Sequence, residues 1–313
     1  MLGNSLEYVA LVVTDVEATA TVFARIFGLQ RTDCPVGTAS CSVPVFSVGK
    51  SALVLFAPDD PFVGGAAKPG LHHIALGIED LSTAVGLATS QHLSFSDREP
   101  IPGLDGTKRI GLAVESTAGV RTYLAELLQF APTTASWVER IDHIGIASAD
   151  NNAAIEVFTR RLGYPLESTQ TDMEVQIPVE SFTSDKYGVV YHTRTPEPVG
   201  GLRVAFITTG DCELEFLQDL SPQFSANVVH QQPGTTRQDR GAIARYVAIR
   251  GPGLHHLALK VTDINQALSE LARAGLSLID NVGRPGSRRA QIGFIHPKSL
   301  NGVLLHLVER QPL

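Results

Sequence analysis

The chain has 313 residues, of which 43% are hydrophobic and 18% charged, and its formal net charge at pH 7 is −7. This length predicts about two domains, and the composition argues against a disordered chain. The acidic balance, without a basic run, argues against a nucleic-acid partner, because phosphate binding requires clustered lysine and arginine.

Membrane insertion and secretion are not expected. No apolar run approaches the roughly 18 residues of a membrane span, and the N-terminus carries Glu7 without a basic segment before it, unlike a signal peptide. The three cysteines, Cys34, Cys41 and Cys212, have neither disulfide-framework nor thiolate metal-site spacing. We expect a soluble cytoplasmic protein that acts on a small molecule; a homo-oligomer is compatible with the sequence.

One phrase occurs four times along the chain, which indicates an internal repeat. The copies are LEYVALVVTDV from Leu6, LHHIALGIEDL from Leu71, IDHIGIASADN from Ile141 and LHHLALKVTDI from Leu254. Each copy predicts a short strand, because apolar residues alternate, followed by an aspartate suited to cap a helix. These aspartates are Asp15, Asp80, Asp150 and Asp263.

A helical pattern and further strand-like runs follow each copy. Each unit ends in a last strand: near Leu53, Tyr123, Glu215 and His306. The sequence therefore predicts an α+β protein of four βαβββ modules. Small modules bury little surface alone, so we expect them to pair into two domains. We place the domains at residues 1–135 and 136–313, and the third module carries extra length at 174–201.

Equivalent positions of the four modules carry different side chains. The first strands offer Tyr8, His73, His143 and His256, and the last strands offer Val54, Tyr123, Glu215 and His306. The C-terminal half thus fills all four positions with metal-capable groups, whereas the N-terminal half cannot form a comparable site.

Three imidazoles and one carboxylate suit one divalent ion per chain, which can be iron, nickel, cobalt, zinc or manganese. Neighbouring strand residues face opposite ways, so only one histidine of each pair can face the site. Alignment with His143 selects His256 over His255. A single histidine on an apolar strand is ordinarily a core residue; four candidates at equivalent positions predict a metal site.

These residues resemble the vicinal oxygen chelate superfamily, which includes glyoxalase I, methylmalonyl-CoA epimerase and extradiol dioxygenases. The resemblance covers nearly the whole chain. It is most specific from Gly201 onward, where GLRVAFITTGDCELEFL and IGFIHPKSLNGVLLHLVE look like methylmalonyl-CoA epimerases. It implies two glyoxalase-like domains, each with a U-shaped mixed sheet, and metal ligands at His143, Glu215, His256 and His306. The chain departs from the epimerases at His306, where they usually carry Glu or Gln.

The site favours isomerase, epimerase or lyase chemistry. Four protein ligands leave about two positions on an octahedral ion for a chelating substrate, and the metal would stabilise an enolate as a Lewis acid. Family epimerases carry a catalytic glutamate in a PEQGV phrase, which is similar to the TPEPVGG phrase around Glu197. Glu197 is thus a candidate base, and Tyr187 and Arg194, from the same inserted stretch, are candidate substrate contacts.

Two alternatives remain open. An Fe(II) ring-cleaving dioxygenase fits the arrangement of one half without metal and one half with it. It would need three open positions for a bidentate diol and oxygen, one more than four ligands leave. A non-catalytic binding or resistance protein is the second alternative, although sequestration of a small molecule needs no cluster of metal ligands.

Overall fold

The computed structural model describes residues 3, 5–37, 41–130, 136–186, 188–193, 195–220 and 236–310, without the side chains of residues 174, 176, 197–199 and 236–240. These residues form two eight-stranded mixed sheets, each curled into a half-barrel, one two-stranded sheet and few helices. The predicted α+β fold of paired glyoxalase-like units is confirmed. No helix in these ranges is long and apolar enough to span a membrane.

The first sheet is built by the first two modules. Its strands are β1 (Ser5–Val12), β2 (Arg31–Pro35), β3 (Ser42–Val48), β4 (Ser51–Phe56), β5 (Gly70–Ile78), β6 (Ile101–Pro102), β7 (Lys108–Gly111) and β8 (Thr122–Glu126). Their spatial order is β2-β3-β4-β1-β5-β8-β7-β6. Helices α1 (Val16–Thr21), continued by a π-helical turn, and α2 (Leu81–Ser90) follow the first strand of each module.

The second sheet repeats this arrangement. Its strands are β9 (Val138–Ala147), β10 (Leu166–Gln176), β13 (Glu197–Thr209), β14 (Cys212–Asp219), β15 (Gly253–Val261), β16 (Arg284–Pro285), β17 (Gln291–Ile295) and β18 (Leu305–Glu309). Their order is β10-β13-β14-β9-β15-β18-β17-β16. The extra length of the third module forms a hairpin of β11 (Val179–Ser184) and β12 (Gly188–Thr193). The helices are α3 (Asn151–Ile155), α4 (Thr236–Arg250) and α5 (Ile264–Arg273).

Each predicted aspartate caps its helix. The carboxylates of Asp15, Asp80, Asp150 and Asp263 all accept a hydrogen bond from a backbone N–H in the first turn, which satisfies donors that the helix leaves unpaired. Helix α5 buries Ile264, Ala267, Leu268 and Leu271 on one face, as expected of an amphipathic helix.

The strand register shows that the halves are equivalent position by position. In the centre of the first sheet Ala10 pairs with His73 and with Val54. In the second sheet Gly145 pairs with His256 and with Glu215. Tyr123 and His306 also match, since they pair with Ala75 and Ala258 on β5 and β15.

The two halves share one hydrophobic core cluster and also contact each other through polar and aromatic groups of their connecting segments. Trp137, just before β9, stacks on Phe27 with ring centroids 5.3 Å apart, and the Ser136 hydroxyl donates to the Phe27 carbonyl at 2.7 Å. The Lys50 N–H donates to the Asp211 carboxylate at 3.0 Å. The predicted boundary after residue 135 adjoins residues 131–135, which lie outside the described ranges, and it stays a prediction.

Candidate metal centre

Four side chains converge on the concave face of the second sheet. They come from its four central strands: His143 on β9, Glu215 on β14, His256 on β15 and His306 on β18. The Nε2 atom of His143 lies 3.1 Å from a Glu215 carboxylate oxygen and 3.0 Å from Nε2 of His306. The same carboxylate oxygen lies 3.6 Å from Nε2 of His256. All four residues are buried.

These separations fit donors around one divalent ion. Two donors that each lie about 2.1 Å from an ion are about 3.0 Å apart at a right angle and about 3.4 Å apart at the tetrahedral angle. Two imidazole nitrogens 3.0 Å apart would otherwise require one ring to donate to the other. The three histidines also form the one group of three or more metal-capable side chains with donor atoms within 4.8 Å of one another in the described part of the chain.

A buried carboxylate, Asp142, orients His143 from behind. The Nδ1 atom of His143 lies 2.8 Å from Asp142 Oδ1, and Arg310 holds the same carboxylate through a short contact and a 3.1 Å contact to Oδ2. Nδ1–H thus donates to Asp142, which leaves Nε2 as the ring nitrogen that faces the cluster, an arrangement typical of metal-bound histidine. Neither Asp142 nor Arg310 was among the residues predicted from the sequence.

The electrostatics of the cluster favour positive charge. Burial alone would lower the pKa of His143, but the charge of Glu215 and the hydrogen bond to Asp142 raise it to about 9. Burial alone would raise the pKa of Glu215, but the charge and hydrogen bond of His143 hold it well below its usual range. The two carboxylates that stabilise an imidazolium here would equally stabilise a divalent cation.

The doubled histidines have a structural explanation. The Nδ1 atoms of His255 and His256 lie 3.0 Å apart, and those of His72 and His73 lie 2.8 Å apart, so in each pair one ring donates to the other. In the His255–His256 pair the register skips a residue between Leu254 and His256, which is a β-bulge. Strict strand alternation is therefore broken here. His256 faces Glu215, and His255 supports it from the side.

Gly145 makes the approach of His256 possible. It pairs with His256 across β9 and β15, and a Cβ atom at residue 145 would overlap the His256 ring. Any side chain at this position would push the imidazole away from the cluster. The equivalent residue of the first sheet is Ala10, beside His73.

The cluster opens into a cavity of about 990 Å³. Phe206 and Phe294 stand beside the histidines, with ring centroids 6.3 Å from His143 and 4.5 Å from His306. Gln170 and Asp172, on one face of β10, line the cavity together with Arg284. The wall opposite the sheet is helix α4, whose Ile243 is buried against β13 and β14. Its Ile243, Tyr246 and Val247 have helical spacing, a signal that could have predicted α4.

The equivalent site of the first sheet contains an arginine. Tyr8, Val54, His73 and Tyr123 occupy the four positions, and Arg109 is buried among them. Its guanidinium donates to the Phe62 carbonyl at 2.8 Å, lies 3.3 Å from Nε2 of His73 and stacks 3.3 Å above the Phe62 ring.

This guanidinium lies where the second sheet gathers its metal-capable groups. Burial raises the pKa of Tyr8 to about 12, so the phenol stays protonated, and the charge of Arg109 only partly opposes the rise. The cation-π contacts with Phe62 and Tyr123 stabilise the buried charge. The sequence pattern did not point to Arg109, whose register position matches Ile292 of the second sheet.

The remaining sequence candidates are not tested by the structure. Tyr187 and Arg194 lie outside the described residues, and Glu197 begins β13 with a side chain that is not described. Their roles stay predictions.

Comparison with known proteins gives the family. The model of the glyoxalase/bleomycin resistance protein/dioxygenase superfamily matches residues 7–111 and 142–294. A methylmalonyl-CoA epimerase of Dictyostelium discoideum is 40% identical over 58 residues, 18% of this chain and 35% of that protein. This chain thus spans about a third of that relative. An ethylmalonyl-CoA/methylmalonyl-CoA epimerase of Cereibacter sphaeroides is 26% identical over 173 residues, 54% of this chain and 97% of that protein.

A solved structure shows the same fold over nearly the whole chain. A mutant 4-hydroxymandelate synthase from Streptomyces coelicolor matches 99% of this chain and 94% of its own, with a TM-score of 0.63 and 14% identity. Methylmalonyl-CoA epimerase from Mycobacterium tuberculosis matches 57% of this chain and 93% of its own, with a TM-score of 0.38 and 26% identity. With the family model matching most of its length, this chain belongs to the glyoxalase/bleomycin resistance protein/dioxygenase superfamily.

Proposed function

We propose that this chain is a metal-dependent isomerase, epimerase or lyase that acts on a small substrate with neighbouring oxygen atoms. The observation that carries the proposal is the convergence of Glu215 with three histidine Nε2 atoms at the inner end of a cavity. This donor set, without a thiolate, suits one divalent ion among iron, nickel, cobalt, zinc and manganese. When bound, the ion supplies Lewis-acid stabilisation of negative charge on a substrate oxygen.

The protein's own residues prepare this chemistry. Asp142, anchored by Arg310, fixes the ring of His143, and His255 fixes that of His256. Fixed donors need no reorganisation when charge develops on the substrate, and this lowers the barrier. The Phe206 and Phe294 rings limit water beside the cluster, which strengthens electrostatic interactions there.

Proton transfer needs a base that faces the substrate. Glu197 is our sequence-based candidate, by its similarity to the epimerase phrase. Asp172 is a second candidate, because its carboxylate lines the cavity and accepts from the Gln170 amide at 3.1 Å. A carboxylate in such a position can remove a proton from carbon next to a carbonyl group. The names of the epimerase relatives support this reaction class.

Deuterium exchange tests the proposal. The protein, loaded in turn with each candidate metal, is incubated in D₂O with malonyl-type thioesters and other 1,3-dicarbonyl compounds, and exchange at the acidic carbon is followed by NMR. We expect metal-dependent exchange that Glu197→Gln or Asp172→Asn slows by about 10²–10⁴-fold, the usual contribution of a general base. Exchange equal to that of metal-free protein, with every metal and substrate, would contradict the proposal.

The ring-cleaving dioxygenase remains the second candidate. The fold similarity to the 4-hydroxymandelate synthase extends over 99% of this chain, and at 14% identity it shows the fold alone. Oxygen uptake with catechols by the iron-loaded protein would favour it, and release of His306 from the metal would then be required to open a third position.

A further inference from the structure

A second cavity, of about 1090 Å³, lies between the first sheet and helix α4. One wall is made by Lys68, His72 and Arg121, at and around the ends of β5 and β8. The facing wall is made by Tyr246 and Arg250, in the last turns of α4. None of the four metal-capable side chains of the second sheet lines this cavity, so it is a separate place for a ligand.

The charges on these walls are mostly positive. Lys68, Arg121 and Arg250 line the cavity, and Glu115 is the one acidic residue among the residues that line it. None of the three cations forms a salt bridge with a carboxylate of the described residues. Arg121 instead contacts His72, and Arg250 lies over the Tyr246 ring. In a chain of net charge −7, these three cations are a local concentration of positive charge.

Two groups that line the cavity report this positive potential. Burial, and then the charge of Arg121, lowers the pKa of His72 to about 3, so His72 is neutral and can accept a hydrogen bond from Arg121. Burial raises the pKa of Tyr246, and the charges of Arg250 and Arg121 oppose that rise. Both arginines therefore act on the same tyrosine, although one belongs to the first half of the chain and the other to α4.

We propose that this cavity binds the phosphate-bearing part of a small organic ligand, with Arg121, Lys68 and Arg250 as its cationic contacts. Guanidinium groups bind phosphate oxygens with paired, charge-assisted hydrogen bonds. A volume of about 1090 Å³ exceeds what an inorganic anion needs and is of the size that organic ligands occupy.

The cavity adjoins the metal-capable cavity. Tyr246, Ile249 and Arg250 line both of them, so the end of α4 separates the two spaces. The Tyr246 hydroxyl donates to the Leu254 carbonyl at 2.6 Å and fixes this wall against β15. A ligand with a phosphate-bearing end can thus lie with that end held by the first half of the chain and its other end toward the second half. Anion binding here does not depend on metal chemistry.

Calorimetric titration tests the proposal with ADP and with pyrophosphate, in a buffer without magnesium. We expect Arg121→Gln to weaken binding of both probes by roughly tenfold and Lys68→Gln by a smaller factor, since each removes a charge-assisted contact. Raising the salt concentration should weaken binding by wild-type protein as well. Arg160→Gln is the matched control: it removes an exposed arginine that does not line the cavity, and binding should stay unchanged.

His256→Ala separates this site from the metal centre, because phosphates can also bind a metal directly. Binding that persists in His256→Ala and falls in Arg121→Gln supports the cavity, whether or not the proposed enzyme activity exists. Binding that falls in His256→Ala but not in Arg121→Gln places the probes on the metal and overturns the proposal. No binding of either probe to wild-type protein overturns it too.

Discussion

The two sheets share one strand order and one register but carry different chemistry at their centres. In the second sheet, four strands supply His143, Glu215, His256 and His306. In the first, the equivalent strands supply Tyr8, Val54, His73 and Tyr123, and the Arg109 guanidinium lies among them. The comparison teaches that one backbone can place either a set of metal-capable donors or a permanent cation at the same point.

The segments that cover the two centres also differ, and the difference again favours a site in the second sheet. In the first sheet the segment between β4 and β5 is short, and its Phe62 stacks on Phe56 with ring centroids 4.9 Å apart and on the Arg109 guanidinium. In the second sheet the segment between β14 and β15 is longer and carries α4, which leaves a cavity of about 990 Å³ beside the donors. Only the second half thus combines donors with space for a substrate.

Removal of one histidine from each half is the strongest test of whether only the second sheet binds a metal ion. His256→Ala should reduce metal retention from about one ion per chain to less than about a tenth, because a structured donor set loses one of its four members. His73→Ala should leave metal content unchanged, since His73 contacts Arg109. Metal content by elemental mass spectrometry decides, and equal loss in both variants would contradict the asymmetry.

Gly145→Ala should impair the metal centre without removing any donor. The new methyl group would displace the His256 ring, and we expect metal affinity to fall by on the order of a hundredfold, as when groups that orient ligands are lost. Competition with a fluorescent chelator measures this. The matched change Ala10→Gly, beside His73, should alter neither affinity nor stoichiometry; unchanged affinity in Gly145→Ala would show that His256 is not a ligand.

Metal removal should destabilise one sheet more than the other. At a free metal concentration of about 100 times Kd, binding stabilises the folded state by about 2.7 kcal/mol. After chelation we expect faster amide hydrogen exchange in β9, β14, β15 and β18, and little change in β1, β4, β5 and β8. Mass-spectrometric exchange measurements resolve the two sheets, and equal acceleration in both would remove the distinction between them.

Arg109→Met should have the smallest effect, and only on stability. The variant keeps the aliphatic volume but leaves the Phe62 carbonyl without its donor, which should lower the free energy of unfolding by about 1–2 kcal/mol. Urea denaturation measures this loss in the free energy of unfolding. As a control, Lys108→Met changes an exposed neighbouring residue and should alter the free energy of unfolding by less than about 0.5 kcal/mol. A loss of bound metal in Arg109→Met would place metal in the first half.

The repeat makes much of the fold predictable. Strand alternation, capping aspartates and the fixed spacing between His73 and Tyr123, and between His256 and His306, are enough to match the equivalent positions of the modules from the amino-acid sequence alone. Those features are local, or they repeat at constant distance along the chain, so a sequence pattern contains them.

The parts that the sequence does not predict depend on side-chain reach and on backbone irregularity. Asp142 follows strand alternation away from the cavity, yet it contacts the far nitrogen of its neighbour His143. Arg109 stands where the other half has Ile292, and only its long side chain brings charge to the centre. The β-bulge at His255 breaks the alternation on which the choice between the two histidines depends.

The most direct test of the central claim is the number of metal ions per chain. It is measured by elemental mass spectrometry on protein purified without a histidine tag and without oxygen, then reconstituted with each candidate ion. We predict about one ion per chain, lost in His256→Ala and kept in His73→Ala. No uptake of any ion, or two ions per chain, would contradict an account in which only the second sheet holds a metal.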